Sequence, residues 1–210
     1  MKFAKSLLRL LLFLVAYSAS SQQPSSVSLP VYDDAEAYEV YSAAIPMDSW
    51  YWENSKTILI LQTIPPREWP IGSPRSALQG NSAFRKSFTP IFDSFDDANR
   101  RDMSLDFQFS ITKPYRLISK GEIETAFSHR RSNVVADGWE GFGTAFPDSS
   151  GYLILSGVGF NADRTVALVY VEHLCGGLCA EERFYILKKL NGQWFRFLPK
   201  GLKSEMTGVS

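Results

Sequence analysis

Four short apolar segments in the last third of the chain are separated by turn-forming residues, and this spacing restricts the fold more than any other feature. Residues 151–160, 165–172, 183–190 and 193–198 have the composition of β-strands. Asn191-Gly192, between the last two, is the strongest short-range signal for a β-hairpin. Because connections this short join strands that run in opposite directions, the sequence predicts a four-stranded antiparallel meander.

The second of these strands is apolar on both faces. Its even-numbered residues from Val166 to Tyr170 and its odd-numbered residues from Ala167 to Val171 all carry apolar side chains. A strand of this kind is covered on both sides, and helical patterns earlier in the chain offer the cover. The predicted fold class is therefore α+β, with N-terminal helices packed on a C-terminal four-stranded antiparallel meander.

Helix and strand signals precede the meander. A helix with an apolar face is predicted from Asp33 to the residues before Pro46, and an aromatic helix containing Pro90 is predicted over 84–95. Ser119 and Glu122 form a capping box, which predicts a short helix over 121–127. A further helix is predicted around 139–146, and strands are predicted over 57–61 and 115–118.

The N-terminus has the three parts of a secretory signal. Lys2, Lys5 and Arg9 precede the apolar run 10–16, and small residues follow up to Ser21. The apolar run is too short to span a bilayer. We expect the chain to be organised as a signal peptide (1–21), a disordered leader (22–32), a single α+β domain (33–200) and a flexible tail (201–210).

Export and composition limit the classes of function. A cleaved signal places the mature protein in the periplasm or outside the cell, with no membrane span of its own. The chain has 22 basic and 22 acidic residues, interspersed, and shows no basic stripe of the kind that nucleic-acid binding requires. Hydrophobic residues make up 45% of the chain, enough to form a buried core. A protein or small-molecule partner is expected, and nucleic acid is not.

The one local cluster of chemically active residues runs from His173 to Cys179. Cys175 and Cys179 are the only two cysteines and are separated by Gly-Gly-Leu, so in an exported protein they are expected to form a disulfide at the tip of a hairpin. Two alternatives stay open. His173, Cys175 and Cys179 could bind a soft metal such as copper(I) or zinc, or the cysteines could form a thiol-redox pair.

Other candidate residues lack the context that their chemistry needs. Ser156, His129 and Asp137 could be written as a triad, but no nucleophile-elbow motif surrounds the serine. Trp50-Tyr51-Trp52 and Trp69 could stack on a sugar or peptide, although aromatic residues more often belong to the core. No catalytic residue and no cofactor are therefore assigned.

A long connection between two predicted elements is the best candidate for a recognition loop. Residues 64–80 are rich in proline and glycine and carry Arg67, Glu68 and Trp69. A connection of this length is typical of a functional loop or of a variable insertion.

The C-terminal motifs resemble those of uncharacterised exported bacterial proteins that share the pattern LSxVGFN…ALVYV…CGGLC…YxLxKxxGxW. The matching segments here are 151–156, 158–161, 167–171, 175–179, 185–187 and 191–194. The chain departs from the pattern at Gly157, where a larger residue is commoner, and at Ala180-Glu181-Glu182, where glycine is frequent. The resemblance implies no function. A weaker similarity, to the cone-shaped fold of ketosteroid isomerase and nuclear transport factor 2, would imply a site for a small apolar ligand.

These observations favour an exported, non-catalytic binding or interaction domain whose ligand is unknown. The first alternative is a cone-like α+β domain that binds or transforms a small molecule. The second is a copper, zinc or thiol-redox site at the C-x₃-C hairpin. Further sequence motifs do not separate the three.

Overall fold

The computed structural model describes residues 28–66, 82–128, 138–198 and 206–209. Its helices are α1 (Ala35–Ala44), a 3₁₀ turn (Ile45–Met47), α2 (Ser49–Asn54), α3 (Ser82–Ala98), α4 (Lys120–Ser128) and α5 (Trp139–Ala145). Its strands are β1 (Ile58–Leu61), β2 (Thr63–Ile64), β3 (Met103–Ser104), β4 (Tyr115–Ile118), β5 (Tyr152–Leu155), β6 (Gly159–Phe160), β7 (Val166–Gly176), β8 (Cys179–Leu190), β9 (Gln193–Arg196) and β10 (Met206–Val209).

The α+β class is confirmed, but the prediction of a four-stranded antiparallel meander is wrong. Eight of the described strands form one mixed sheet in the order β10-β8-β7-β5-β1-β4, with β6 beside β7 and β9 beside β8. β1 runs parallel to both β4 and β5, whereas the remaining pairs are antiparallel. The meander is therefore one side of a larger sheet.

Long helical connections explain why the additional strands are parallel. The chain between β1 and β4 contains α3, and the chain between β4 and β5 contains α4 and α5. Parallel neighbours need crossovers of this length, whereas a short turn can join only antiparallel ones. The helices are consequently split between the N-terminal and the central parts of the chain, so the prediction that N-terminal helices precede the whole sheet and pack on it is also wrong.

The helices cover both faces of the sheet, so the core has two layers of side chains. On one face α1, the 3₁₀ turn and α2 pack on odd-numbered sheet residues such as Leu153, Val169 and Val171. On the other face α3 packs on Leu168 and Tyr170, and a further cluster places α4 and α5 on residues of β1, β4 and β5. The apolar pattern on both faces of β7 is thereby explained.

Ion pairs join the start of α1 to the β6–β7 turn and to the end of β8. Asp34 caps α1 by accepting from the backbone N–H groups of Glu36 and Ala37. The same carboxylate accepts two hydrogen bonds at 2.7 Å from Arg164, which also pairs with Glu36. Lys189 of β8 pairs with Glu36 at 2.8 Å. Arg164 and Lys189 hold the pKa of Glu36 below its usual value against the opposing effect of burial.

Residues 156–158 interrupt the predicted strand over 151–160. Leu155 pairs with Val171 and Gly159 pairs with Leu168, so the β5–β6 segment has one more residue than the part of β7 that it faces. Such a bulge reverses the alternation of side chains. Leu155 and Phe160 therefore face the same helical layer, although one is odd-numbered and the other even-numbered.

Side chains from distant elements satisfy the backbone of this bulge. The hydroxyl of Tyr41 donates to the carbonyl of Ser156 at 2.6 Å. Asn99 accepts from the N–H of Gly157 at 2.7 Å and donates to its carbonyl at 3.1 Å. The N–H of Val158 donates to the hydroxyl of Tyr32 at 3.0 Å. Burial raises the pKa of Tyr32 to about 12, consistent with a hydroxyl removed from solvent.

Two local predictions are confirmed. Glu122 accepts from the N–H of Ser119 at 2.8 Å, and the Ser119 hydroxyl accepts from the N–H of Glu122 at 3.2 Å, which completes the capping box. Asn191 and Gly192 both have positive φ and join β8 to β9. The predicted signal peptide lies outside the described residues, and β10 lies within the segment expected as a tail.

Candidate functional site

The two motifs singled out in the sequence, 50–52 and 173–179, meet at one end of the sheet. Trp50-Tyr51-Trp52 lies in α2, and Tyr51 is fully buried against the sheet. The His173 ring lies 4.2 Å from the Tyr51 ring and 5.5 Å from the Trp50 ring, measured between centroids. Trp50 is 52% exposed, so it forms a lid over a histidine that is only 1% exposed.

Asp48 joins α2 to the hairpin and was missed in the sequence. One carboxylate oxygen accepts from the N–H of Tyr51 at 3.0 Å, as the N-terminal cap of α2. The other lies 3.5 Å from Nδ1 of His173. The pattern of an aspartate three residues before the capped N–H is a recognisable capping signal, but nothing in the sequence indicates its proximity to His173.

The environment of His173 favours the neutral ring. Nε2 lies 3.1 Å from the carbonyl of Ser150, and because a carbonyl only accepts, Nε2 carries the proton. Burial lowers the pKa of His173, while the Ser150 carbonyl and the Asp48 carboxylate oppose that effect. Both ring nitrogens thus face groups of the protein itself.

The Tyr51 hydroxyl connects three parts of the chain beneath the site. It accepts from the N–H of Leu59 at 2.9 Å and donates to the carbonyl of Gly151 at 3.1 Å. The hydroxyl of Ser149 lies 3.1 Å from it. Burial raises the pKa of Tyr51 to about 12. This network holds α2 against β1 and the start of β5. Trp50 precedes Tyr51 in the same helix, so its backbone position is fixed by these bonds.

Charged residues of β8 continue the same face of the hairpin towards its tip. Glu181 is the register partner of His173, and Arg183 is the partner of Val171. The Arg183 guanidinium pairs with the Glu181 carboxylate. Directly opposite residues of an antiparallel pair lie on one face of the sheet. Glu181 and Arg183 therefore border the apolar core on the side of α2.

The hairpin tip is closed by the two cysteines. The sulfur atoms of Cys175 and Cys179 lie at disulfide-bonding distance, and their Cα atoms are 5.1 Å apart, which confirms the expected proximity. The register shifts between Leu174 and Gly176, so the tip departs from a regular ladder. Leu178 is 95% exposed at the apex, the highest exposure among the large apolar residues of the described chain.

The remaining candidates are separated by the structure or lie beyond it. Trp50 and Trp52 flank the buried Tyr51 and contact different groups, His173 and Lys113 respectively. Ser156 is buried, and its hydroxyl accepts from the N–H of Tyr170 at 2.8 Å in the bulge. Five candidate residues lie outside the described residues: Arg67, Glu68, Trp69, His129 and Asp137.

The metal alternative has no assembled ligand set in the part of the chain that the structure describes. No group of three or more His, Cys, Asp or Glu side chains there is placed to hold an ion. His173 and Cys175 are two residues apart on β7, as the metal alternative requires. The ring nitrogens of His173, however, face Asp48 and Ser150.

The sequence analysis also did not identify two buried carboxylates, which lie on the face of the sheet that points away from α2. Glu172 and Glu182 are register partners, and both are buried. Alternation places Glu172 on the face of Tyr170, between the α3 cluster and the α4–α5 cluster. A glutamate with apolar neighbours two residues away on its own strand is the signal that could have indicated this burial.

A pocket of about 490 Å³ lies between the start of α4 and the end of α5. Ser119, Glu122, Thr125, Ala145 and Phe146 are among its lining residues. It is a surface depression between two helices. A cone-like ligand site would instead open between helices and sheet, where this protein places packed aromatic and aliphatic side chains.

No described helix combines the length and the apolar character that a membrane crossing would need. No protein-family model, curated protein or solved structure matches this chain.

Proposed function

We propose that this chain is an exported binding domain that contacts a protein partner through its hairpin tip and Trp50. We call the surface formed by Trp50 and residues 175–179 the tip surface. One observation carries the proposal: Leu178 is 95% exposed on a hairpin tip that two cysteines close. Because a constrained tip has less conformational freedom to lose on binding, it favours association.

The chemistry beneath the tip surface supports binding rather than catalysis. Tryptophan is enriched among the residues that dominate binding energy at interfaces, and Trp50 is the tryptophan that the site exposes. The titratable groups below it, Asp48 and His173, are buried and face other groups of the protein. The Asp48 cap orders the start of α2, and the His173 ring packs against Tyr51 and Trp50 of that helix.

Site-specific photocrosslinking in a host that exports the protein tests this proposal. A benzophenone side chain is introduced at Leu178, at Trp50 or, as a control, at Leu190. Leu190 is 49% exposed and lies at the opposite end of β8 from the tip. We expect a discrete adduct from positions 178 and 50 and none from 190. The same adducts from all three positions, or none from 178, would count against the tip surface.

A quantitative second step uses the captured partner. Leu178→Ser and Trp50→Ala should each weaken binding at least about tenfold, since loss of a central apolar anchor typically costs 1–2 kcal/mol or more. Leu190→Ser should leave the affinity within about twofold.

A screen of small molecules by thermal shift addresses the cone-like alternative, because a ligand that binds only the folded state raises Tm.

Export is part of the proposal and rests on the N-terminal sequence. Cleavage after Ser20 or Ser21 would release a chain that begins at Ser21 or Gln22. The intact mass of protein recovered from the periplasm or the medium should therefore lack residues 1–20 or 1–21. Recovery with Met1 to Ser21 still attached would contradict cleavage.

A further inference from the structure

The apex of the β7–β8 hairpin and the pocket between α4 and α5 have complementary shapes. Leu178 projects from the apex with 95% of its surface exposed. The pocket has a volume of about 490 Å³, which is larger than a leucine side chain. Gly121, Ala126 and Phe146 are among its lining residues, so part of its wall is apolar. The first feature is a knob, and the second is a hollow that can receive it.

Contact between these two surfaces would bury no uncompensated charge. The tip segment 174–180 contains no charged residue. Among the described residues that line the pocket, Glu122 alone is charged, and the Arg116 guanidinium pairs with it. Glu122 also accepts from the N–H of Ser119 in the capping box. The contact would therefore bury apolar surface, which is favourable, and would leave an existing ion pair in place.

The hairpin tip and the pocket lie at opposite ends of the strands. Tyr152, at the start of β5, is the register partner of Leu174, so the tip extends beyond the end at which β5 begins. Because β1 runs parallel to both β5 and β4, these strands begin at the same end. Ser119, which lines the pocket, follows the last residue of β4 at the other end, and β5 and β1 separate β4 from the hairpin. The tip of one copy is therefore remote from its own pocket and is accessible to the pocket of a second copy.

We propose that the partner of the tip surface is a second copy of this chain, which receives Leu178 in the pocket between α4 and α5. This inference rests on the proposed function and names the partner that the tip surface binds. Because the knob and the pocket are different surfaces, the contact is head-to-tail and generates open chains of copies unless the rotation closes a ring. A hairpin tip covers less area than the roughly 1,200 Å² of a small stable interface, so the association is weak and depends on protein concentration.

Sedimentation equilibrium of the purified mature protein measures this association, at concentrations from about 10 μM to about 1 mM that suit weak dissociation constants. Two variants each remove one side of the contact. Leu178→Ser removes the knob, and Ala145→Trp fills the pocket from an exposed position at the end of α5. We expect the weight-average mass of the unmodified protein to rise past that of a dimer. Each variant alone should associate at least about tenfold more weakly, because an apolar anchor or its pocket is lost.

An equimolar mixture of the two variants gives the sharpest comparison. The Leu178→Ser copy still has an open pocket and the Ala145→Trp copy still has its tip, so one contact can form between them. The mixture should contain heterodimers and no larger species, because a heterodimer offers only an altered tip and a filled pocket. Loss of folding or nonspecific apolar contact would not restore association in this way. An unmodified protein that stays monomeric, or a mixture that stays monomeric or grows beyond dimers, would overturn the inference.

Matched substitutions outside the contact should leave the self-association unchanged. Leu190→Ser replaces an exposed leucine at the opposite end of β8 from the tip. Thr144→Trp adds the same aromatic ring as Ala145→Trp at the preceding exposed position of α5, which is not among the lining residues of the pocket. Equal weakening by Thr144→Trp and Ala145→Trp would overturn the assignment of the pocket.

Photocrosslinking separates failure of this inference from failure of the proposed function. Benzophenone at position 178 of the purified protein should give a covalent dimer in which the attached peptide contains residues 119–126 or 139–146. No dimer, or attachment elsewhere, would overturn the inference. In that event an adduct with a different protein in the exporting host would still support the tip surface, whereas no adduct in either setting would contradict both proposals.

Discussion

Asp48 shows how one side chain can join two parts of the chain that are distant in sequence. It caps α2 with one carboxylate oxygen and faces His173 with the other. The sequence identified His173 and the motif at 50–52 as separate features, because periodicity and spacing report only local neighbours. Their contact depends on β7 lying beneath α2, which no local pattern encodes.

His173 should make stability depend on pH below neutrality. Because burial lowers the pKa of His173 in the folded protein, the unfolded state takes up a proton first as the pH falls. The contribution of the neutral ring is complete above the unfolded pKa, about 6.5, and is lost progressively as the pH falls from there towards the folded pKa. His173→Gln should lessen the decrease in the free energy of unfolding between pH 7.5 and 5.

Urea denaturation at several pH values measures this effect. The carboxyl groups of Glu36 and Glu122 have pKa values below their ordinary 4.5 and so titrate largely beneath this window. Parallel pH profiles for the wild type and His173→Gln would contradict the prediction.

The contact between α3 and the bulge depends on two glycines. A methyl group at Gly159 would lie 2.5 Å from Cβ of Phe95 and 2.6 Å from the carbonyl oxygen of Ile91. At Gly157 it would lie 2.6 Å from the carbonyl oxygen of Ala98. A side chain at either position would therefore push α3 away from the sheet. The role of both glycines is close packing.

Gly159→Ala should lower the free energy of unfolding by about 1–3 kcal/mol, as overpacking of a core typically does. Gly121→Ala is the matched control. Gly121 lies in the first turn of α4 with no neighbouring atom within 4 Å of the added methyl group. Alanine there should raise the stability by about 0.5 kcal/mol, since glycine is a poor helix former. Denaturant titrations compare the two, and equal effects would contradict the packing argument.

The cysteine pair closes the tip of the β7–β8 hairpin, so its effect on stability concerns this element. A loop of this size contributes little chain entropy, so Cys175→Ser combined with Cys179→Ser should keep the fold and lower stability by about 1–2 kcal/mol. The unreduced wild type should show no thiol that reacts with a maleimide. Two reactive thiols, together with copper or zinc retained through purification, would support the metal alternative. Weaker metal binding in His173→Ala would then identify the third ligand.

Local signals predicted individual elements well and their assembly poorly. The capping box at Ser119 and Glu122 and the hairpin at Asn191-Gly192 are confirmed because their energetics reside in a few adjacent residues. The strand predicted over 151–160 is broken, however, at a bulge whose backbone bonds to the side chains of Tyr41 and Asn99. The sequence around Ser156 gives no sign of these distant donors and acceptors.

At the scale of the whole molecule, the error lay in which strands pair. In the sequence β1 and β4 are predicted as short strands without partners. Their parallel pairing follows from helical crossovers that bring distant segments together. Such non-local pairing lies outside what alternation and turn residues can report. The prediction that both faces of β7 are covered depended only on its own residues, and it is confirmed.

All three hydrophobic clusters contain side chains of the same sheet. The described domain should therefore unfold as a unit. Leu153 lies in β5, is fully buried, and has neighbours from β1 and β7. Leu153→Ala should lower the free energy of unfolding by about 2–5 kcal/mol. Far-ultraviolet and near-ultraviolet circular dichroism should report one coincident transition in both proteins. Separate midpoints for the two signals would contradict unfolding as a single unit.

The bulge at 156–158 makes chain length a property under constraint. Removing one residue there would let the segment pair with β7 residue for residue, with Phe160 still facing α1, but the backbone groups that now bond to Tyr41, Asn99 and Tyr32 would be lost or displaced. A conservative substitution changes one contact, whereas this deletion would leave the polar groups of three buried side chains without those partners. Natural length variation is therefore expected to be excluded from this short segment and tolerated at exposed turns such as Asn191-Gly192.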